Sequence, residues 1–288
     1  MLLTILSLVW GCSFMATVIM VDRGLEPIQI LSGRWLIAAF LYLGLAIAGK
    51  ARPDYRKPEA KRLILVGLVT PCAYMIFETY GIAMTSASMG AIFIAGIPAM
   101  ALLIGMVFLR RKAKRIGVVA VIIAFAGVSI CTFFSPDFSV GGSVLGYLIM
   151  AGATVTGGFY SHASLAASRH YTSLEITANM AFMGAILFTA LNFIMGYGFE
   201  TYLVMLGDWK AMAGILFLGV GCSFMGYLLF NYLFTLMDLV LVNNISESSI
   251  TVVGVVAGIL VTGDPFGWYT LVGLGLTLTG VYLSSKAM

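Results

Sequence analysis

Runs of about 20 apolar residues, interrupted only by short polar breaks, follow one another along nearly the whole chain. Such a run, coiled as an α-helix rising 1.5 Å per residue, matches the roughly 30 Å hydrocarbon core of a bilayer. Backbone groups inside lipid have no water to bond, so each segment must satisfy them internally, which selects helices. The composition agrees: 61% of the 288 residues are hydrophobic and 10% are charged. Frequent glycine (33 residues) permits close approach of helix backbones in lipid. The run boundaries give ten spans, at 3–21, 27–49, 62–83, 87–109, 115–134, 143–167, 174–196, 211–237, 240–262 and 266–285. The expected fold is an all-α membrane protein with ten transmembrane helices.

Charge orients these spans. With both termini and the even-numbered connections on one side, that side collects thirteen of the sixteen Lys and Arg, including the blocks KARPDYRKPEAKR and RRKAKR. The other side has Arg23 and Lys210, and Arg34 lies within a span. Loops rich in Lys and Arg stay inside, so both termini are expected in the cytoplasm of a cell whose plasma membrane (the bacterial inner membrane) holds the protein. The basic blocks serve as topology signals that can also touch anionic lipid. The net charge of +4 therefore calls for no nucleic acid. The four cysteines fall within spans without CxxC or metal-ligand spacing, so neither a metal nor another cofactor is expected.

Ten spans with both ends inside divide into two halves, 1–137 and 138–288, and an odd number of spans per half forces the second to be inverted. Sliding the chain against itself by 153 residues pairs Leu65 with Leu218, Tyr74 with Tyr227, Phe77 with Phe230, Ile97 with Ile250, Gly105 with Gly258 and Gly127 with Gly280. Helix and loop boundaries stay in phase over this stretch. The basic loop Arg110–Arg115 pairs with Gly263–Trp268, which has no Lys or Arg. Charge reversal at equivalent loops is what inversion across a membrane requires. Inverted repeats belong to secondary transporters whose site lies near the midplane between the halves. A second repetition, GCSFM at 11–15 and again at 221–225, is offset by 210 and is read as coincidence. It leaves a Gly/Ser face on spans 1 and 8.

WG in span 1, GRWLIAAF at the start of span 2 and YGIAMTSASMGAIFIAGIPAMALLIGMVFL through spans 3 and 4 form a familiar pattern. So do the Gly-rich GVVAVIIAFAGVSI of span 5 and LVGLGLTLTGVYL of span 10. Over essentially its whole length the chain resembles the EamA-like branch of the drug/metabolite transporter superfamily. The resemblance implies ten helices in two inverted halves and export of small metabolites, amino acids among them. That pattern often places Pro in the middle of spans 4 and 9 with an acidic residue thirteen positions later. Here the first half has Pro98 but Arg111, and the second has Asp264 but Thr251 in place of Pro.

Ionisable groups within spans are costly and point to functional sites. This chain has Arg34, Glu78, His162 and Glu247. Tyr74 and Tyr227 fall near mid-membrane, and residues i and i+4 share a helix face, so Tyr74/Glu78 in one half mirrors Tyr227/Asn231 in the other. Asn243, Glu247 and Thr251 form a polar stripe whose first-half counterpart, Gly90, Ile94 and Pro98, is apolar. Depth along the spans puts Arg34 and Glu78 toward the outside and gathers Asn231, Asn243, Glu247 and His162 toward the cytoplasm. Glu247, roughly six residues and about 9 Å into its span, would bind a substrate ammonium or carry a coupling proton. Pro98 has no N–H, so the Ile94 carbonyl is freed, either for a substrate ammonium or as a kink satisfied by a neighbouring helix. Trp10, Tyr74, Phe159, Tyr160 and Tyr227 would form an aromatic middle layer. The candidate cavity is thus lined by Trp10, Tyr74, Glu78, Pro98, Tyr160, His162, Tyr227, Asn231, Asn243 and Glu247.

An apolar cavity with a few placed polar groups suits a small amphipathic solute. The leading expectation is an alternating-access exporter of amino acids or similar metabolites, coupled to protons and complete as a single chain in the lipid bilayer. Export of organic cations is the alternative, since two intramembrane carboxylates face one arginine. A membrane enzyme is disfavoured because the sequence has no HExxH, no GxSxG and no paired Asp on adjacent spans. A channel would need a filter-like ring of carbonyls or charges, which no segment offers.

Overall fold

Polar breaks and capping residues cut the apolar chain into helices where the run boundaries anticipate them. The computed structural model describes residues 1–110, 114–136 and 143–286, and all regular structure among them is helical. The long helices are α1 (Leu2–Asp22), α2 (Pro27–Ile47), α3 (Ala60–Ala83), α4 (Ala87–Val107), α5 (Arg115–Phe133), α6 (Ser143–Ala167), α7 (Ser173–Ile194) and α8 (Trp209–Leu236). They are followed by α9 (Leu239–Ala257, continued through Gly258–Thr262) and α10 (Trp268–Ser285). Among the described residues nine helices, α1 to α9, are long and apolar enough to cross a membrane. α10 has 18 residues, with Thr, Ser, Tyr and Gly set between its leucines, and is not one of the nine. The expected boundary between halves at 137/138, and Arg111 and Lys112 of the basic loop, lie outside the described residues.

Local chemistry explains the starts. Pro27 sits in the first turn of α2, where its missing N–H costs nothing. Ser86 caps α4 by accepting from the Met89 N–H at 3.2 Å. Thr172 and Glu175 form a reciprocal capping box at α7. Asp208 accepts from the Lys210 N–H at 2.9 Å to start α8. Just before it, a short helix at Glu200–Gly207 occupies what the run boundaries leave as a connection. Its Thr201 is anchored between Asn192 and Gln29.

Successive connections gather alternately at the two ends of the bundle. At one end Arg23 pairs with Asp208, Asp264 accepts from the Ser88 N–H at 2.6 Å, and the Phe134 and Trp268 rings meet at 4.9 Å. At the other, Arg62 approaches His170 at 2.8 Å and the Tyr171 hydroxyl donates to the Asp54 carbonyl at 3.1 Å. Between the ends, the most extensive packing joins α5 to α10, α1 to α9, α2 to α7 and α8, α3 to α6, and α4 to α6 and α9. Outward faces are apolar: Ile194 is 79% exposed, Leu260 77% and Ile47 74%. So much exposed apolar surface on long helices is stable against lipid and not against water. The protein is an integral membrane protein.

Three departures from regular helix matter for the site. α3 is kinked within Leu68–Ala73, where Thr70 has extended backbone just before Pro71, π-helical turns occupy Phe217–Gly226 in α8, and residues 221–226 are the 153-residue register equivalents of 68–73. Such wide turns often accompany functional sites. α4 divides into Ala87–Ile94 and Ile97–Val107 around Ala95 and Gly96.

Candidate functional site

The irregular middles of α3, α4 and α8 surround one buried cavity at the centre of the bundle. α1 contributes Trp10, Ser13 and Phe14, α2 contributes Arg34, and α3 contributes Tyr74, Met75 and Glu78. Ile94 and Ile97 of α4 flank the break in that helix. From the second half come Gly157, Tyr160 and Ser161 of α6, Tyr227 and Phe230 of α8, and Glu247 and Ile250 of α9. Its volume is about 40 Å³, measured as the space open to the centre of a water molecule. That holds about three waters. The cavity is therefore nearly closed in this conformation.

Three pairs of lining residues are register equivalents: Tyr74 with Tyr227, Ile97 with Ile250, and Ile94 with Glu247. The first two preserve chemistry and the third does not. Glycines let the walls close. A Cβ at Gly157 would lie 2.5 Å from Ile97 Cδ1, and one at Gly11 would lie 2.5 Å from Val253 Cβ.

Charge in the cavity is unbalanced. Arg34 is 3% exposed, Glu78 8% and Glu247 4%. Arg34 donates from Nε to Ser223 Oγ at 2.9 Å and forms no ion pair within 4.0 Å among the described residues. The Tyr74 hydroxyl donates to Glu78 Oε1 at 2.8 Å. Glu247 has no such donor, and its Oε2 is buried without a hydrogen-bond partner. A buried carboxylate needs a cation, a water or a proton. No side chain among the described residues donates to Glu247 Oε2.

Aromatic rings close the cavity on the α8 side. Trp10 meets Tyr227 edge-on at 4.9 Å and Phe230 at 5.0 Å, while Tyr160 lies 6.0 Å from both. Trp10 Nε1 donates to the Cys222 carbonyl at 3.2 Å. The two GCSFM segments therefore frame the site: Ser13 lines it, and Ser223 holds Arg34.

Of the residues singled out from the sequence, Trp10, Arg34, Tyr74, Glu78, Tyr160, Tyr227 and Glu247 meet in this cavity, whereas Asn231, His162, Pro98, Asn243 and Phe159 do not. Asn231 stands behind Tyr160, accepting from its hydroxyl at 3.2 Å and from Ser164 at 2.5 Å, and donating to Thr177 at 3.2 Å. Its amide is consumed by neighbouring helices. His162 turns toward α4, where Nε2 donates to the Ala101 carbonyl at 2.8 Å. Pro98 falls in the first turn of the second α4 segment, where a missing N–H is tolerated, and faces a separate small cavity with Asn243. Phe159 packs edge-on against Phe108 at 5.4 Å, because residues 157, 160 and 161 take the inward face of α6. The expected inner cluster is also corrected. α9 begins at Leu239, so Glu247 lies eight residues in, about 12 Å along the axis. It nonetheless lines the same cavity as Arg34 and Glu78. Arg34 carried the signal of a charge within a span and Phe230 and Ile250 that of the 153-residue register, whereas Phe14 and Met75 carried none in so apolar a sequence.

The EamA-like transporter family matches the chain twice, over residues 1–133 and 144–286. This chain belongs to the EamA-like transporter family. It is a transporter built from two repeats of that family's unit. An uncharacterized transporter of Archaeoglobus fulgidus is 28% identical to this EamA-like protein over 276 residues, spanning 95% of this chain and 94% of the relative. The uncharacterized transporter YcxC of Bacillus subtilis is 22% identical over 279 residues, with 96% and 88% covered. One crystal structure superposes with a TM-score of 0.70 at 15% identity, covering 99% of this chain and 95% of its own. That likeness shows the fold alone.

Proposed function

We propose that this EamA-like transporter exports small organic metabolites, amino acids or similar amphipathic solutes, by alternating access through the central cavity. The carrying observation is the unpartnered carboxylate of Glu247 in a cavity that both repeats line. A substrate ammonium placed there would receive what the protein withholds, with aromatic faces adding on the order of 1–2 kcal/mol. A substrate carboxylate would turn to Arg34, whose Nε is already fixed by Ser223. When no ammonium is bound, a proton on Glu247 relieves the same buried charge, which makes proton exchange the natural coupling.

The architecture behind this reading is ten spans in two inverted halves, 1–137 and 138–288, with both termini cytoplasmic in a plasma membrane and one chain as the complete unit. Two facts support inversion. Helix partnerships are unchanged when each helix is exchanged for the one five places along: α1–α9 becomes α6–α4, and α2–α8 becomes α7–α3. The α5–α10 seam also has reciprocal contacts. A Cβ at Gly127 would strike Thr277 and one at Gly280 would strike Ala124, where Gly280 is the 153-residue equivalent of Gly127 and Thr277 that of Ala124. The alternation of connections between the two ends supports a tenth crossing by α10.

Export of organic monocations is a second reading, favoured by two carboxylates against one guanidinium in the cavity. Proteoliposomes loaded with labelled amino acids or a labelled primary amine, with and without a pH gradient, distinguish the two. Glu247→Gln keeps shape and hydrogen bonding but removes charge, and is expected to lower transport at least tenfold or to abolish its pH dependence. A folded Glu247→Gln protein with unchanged rate and pH profile would end the proposal.

A further inference from the structure

We propose that the start of α9, from Asn243 to Glu247, lines a hydrated passage from the central cavity to the end of the molecule that carries the termini. The proposal rests on the alternating-access reading and names the route by which the cavity opens at that end.

Buried polar atoms without partners are rare, because each gives up its bonds to water without replacement. Among the described residues, four such side-chain atoms fall in this five-residue stretch: Asn243 Nδ2, Asn244 Nδ2, Ser246 Oγ and Glu247 Oε2. All four residues are at least nine-tenths buried. Turning the amides does not help. Asn243 meets only Ser161, at 3.4 Å, and Asn244 only Ser284, at 3.1 Å. Each serine has one O–H and also a nearer carbonyl on its own helix, Gly157 at 3.1 Å and Val281 at 2.7 Å. Either orientation leaves one amide atom of each asparagine unpaired.

Space is present beside these atoms. A cavity of about 10 Å³ lies against Asn243, Asn244, Pro98 and Ser284, at the lower limit for a single water. Ser161 lines the central cavity and touches Asn243, so the two spaces adjoin. Asn243 lies one turn below Glu247, about 6 Å nearer the start of α9. The unpaired atoms thus form a descending series from the cavity toward one end.

The opposite end has no such series. The register equivalents of Asn243, Asn244, Ser246 and Glu247 are Gly90, Ala91, Phe93 and Ile94, which have no polar side-chain atom. All four are buried, Gly90 against Phe14 and Ile82 and Phe93 stacked on Tyr147 at 6.2 Å. Two halves that share a backbone plan therefore present a wettable route on one side and a dry one on the other. Water entering along α9 satisfies its amides when that side opens, which makes this route a low-barrier path for a charged solute.

The test uses the full-length protein in membrane vesicles, with a terminal tag reporting which face carries the termini. Native cysteines are replaced, Asn244→Cys or Ser246→Cys is introduced, and Ala91→Cys serves as comparator. A positively charged methanethiosulfonate reagent is applied from each face. Both α9 cysteines are expected to react at least tenfold faster than Ala91→Cys, and from the tagged face. Reaction no faster than Ala91→Cys, or from the untagged face only, overturns the passage. Scoring against the tag keeps an error in cytoplasmic orientation separate, and no solute is transported, so failure of the substrate reading is separate too. Unmodified protein in lipid nanodiscs gives the same decision if a variant fails to fold. Amides 239–247 should exchange with deuterium at least tenfold faster than their equivalents 86–94, and equal protection refutes the proposal.

Discussion

Replacing Gly127 or Gly280 by alanine should destabilise the protein at the seam between α5 and α10. A Cβ at Gly127 would lie 2.5 Å from the Thr277 backbone nitrogen, and one at Gly280 would lie 2.5 Å from that of Ala124. Ordinary contact begins at 3.4 Å, so one methyl must push the helices apart by the difference, about 0.9 Å. The obstacles are backbone atoms, which cannot escape by changing rotamer. Overpacking of this kind costs about 1–3 kcal/mol. Gly275 of the same helix has nothing within 4 Å of its would-be Cβ. Gly275→Ala therefore gains the same helix propensity without the clash, and the comparison isolates the clash. At about 2–4 °C per kcal/mol, Gly127→Ala and Gly280→Ala should melt roughly 2–12 °C below Gly275→Ala. Tryptophan fluorescence during heating in detergent, checked by size exclusion for monodispersity, reads this. Equal melting temperatures for all three variants would refute the close-packed seam. Unequal losses for Gly127→Ala and Gly280→Ala would refute its reciprocity.

Tyr74→Phe removes the bond to Glu78 while keeping the ring, so transport in proteoliposomes should fall roughly tenfold, equivalent to about 1.4 kcal/mol, with little change in melting. Normal transport would make the tyrosine a packing residue. Asp264→Ala leaves the first turn of α4 without its partner for the Ser88 N–H, which should cost about 1 kcal/mol, read as lower melting in detergent. An unchanged melting temperature would mean water replaces the carboxylate fully. Reporter fusions near Arg56 and after residue 288 should read cytoplasmic, and one near Pro136 external; a cytoplasmic Pro136 would sink both the ten-span map and the inversion.

The helical architecture was legible in the sequence because lipid imposes a length and an apolar composition on every span. The mid-membrane tyrosines were legible because two residues of one type sat at one offset in runs that stayed in phase. What escaped was side-chain direction. Asn231 and His162 looked like cavity groups for their chemistry, yet Thr177 and the Ala101 carbonyl claim them from the next helix. No spacing within one span reveals such a partner. Glu247 was grouped with an inner cluster, yet it lines the same cavity as Arg34 and Glu78 while Asn231 and His162 turn to other partners. Pro71 marks the kink in α3, but the π-helical turns of α8 were invisible for a related reason. They depend on what Trp10 and its neighbours press against: a Cβ at Gly226 would collide with the Trp10 ring. Ser13 and Ser223 belong to a repetition whose offset is not that of the halves, yet both reach the site.

The partnerships of the long helices also bear on how the chain is made. α1, α2 and α5 find their most extensive contacts with α9, α7 and α10, none of which has been synthesised when the first half leaves the ribosome. Until then Arg34 lacks Ser223, Trp10 lacks the Cys222 carbonyl, and the Gly127 face of α5 is open to lipid. The first five helices must wait in the bilayer as an assembly of loosely held segments, and the last helix to emerge is the one that locks α5 in place. Completing the packing of this transporter therefore depends on contacts of long sequence separation, the kind that form slowly.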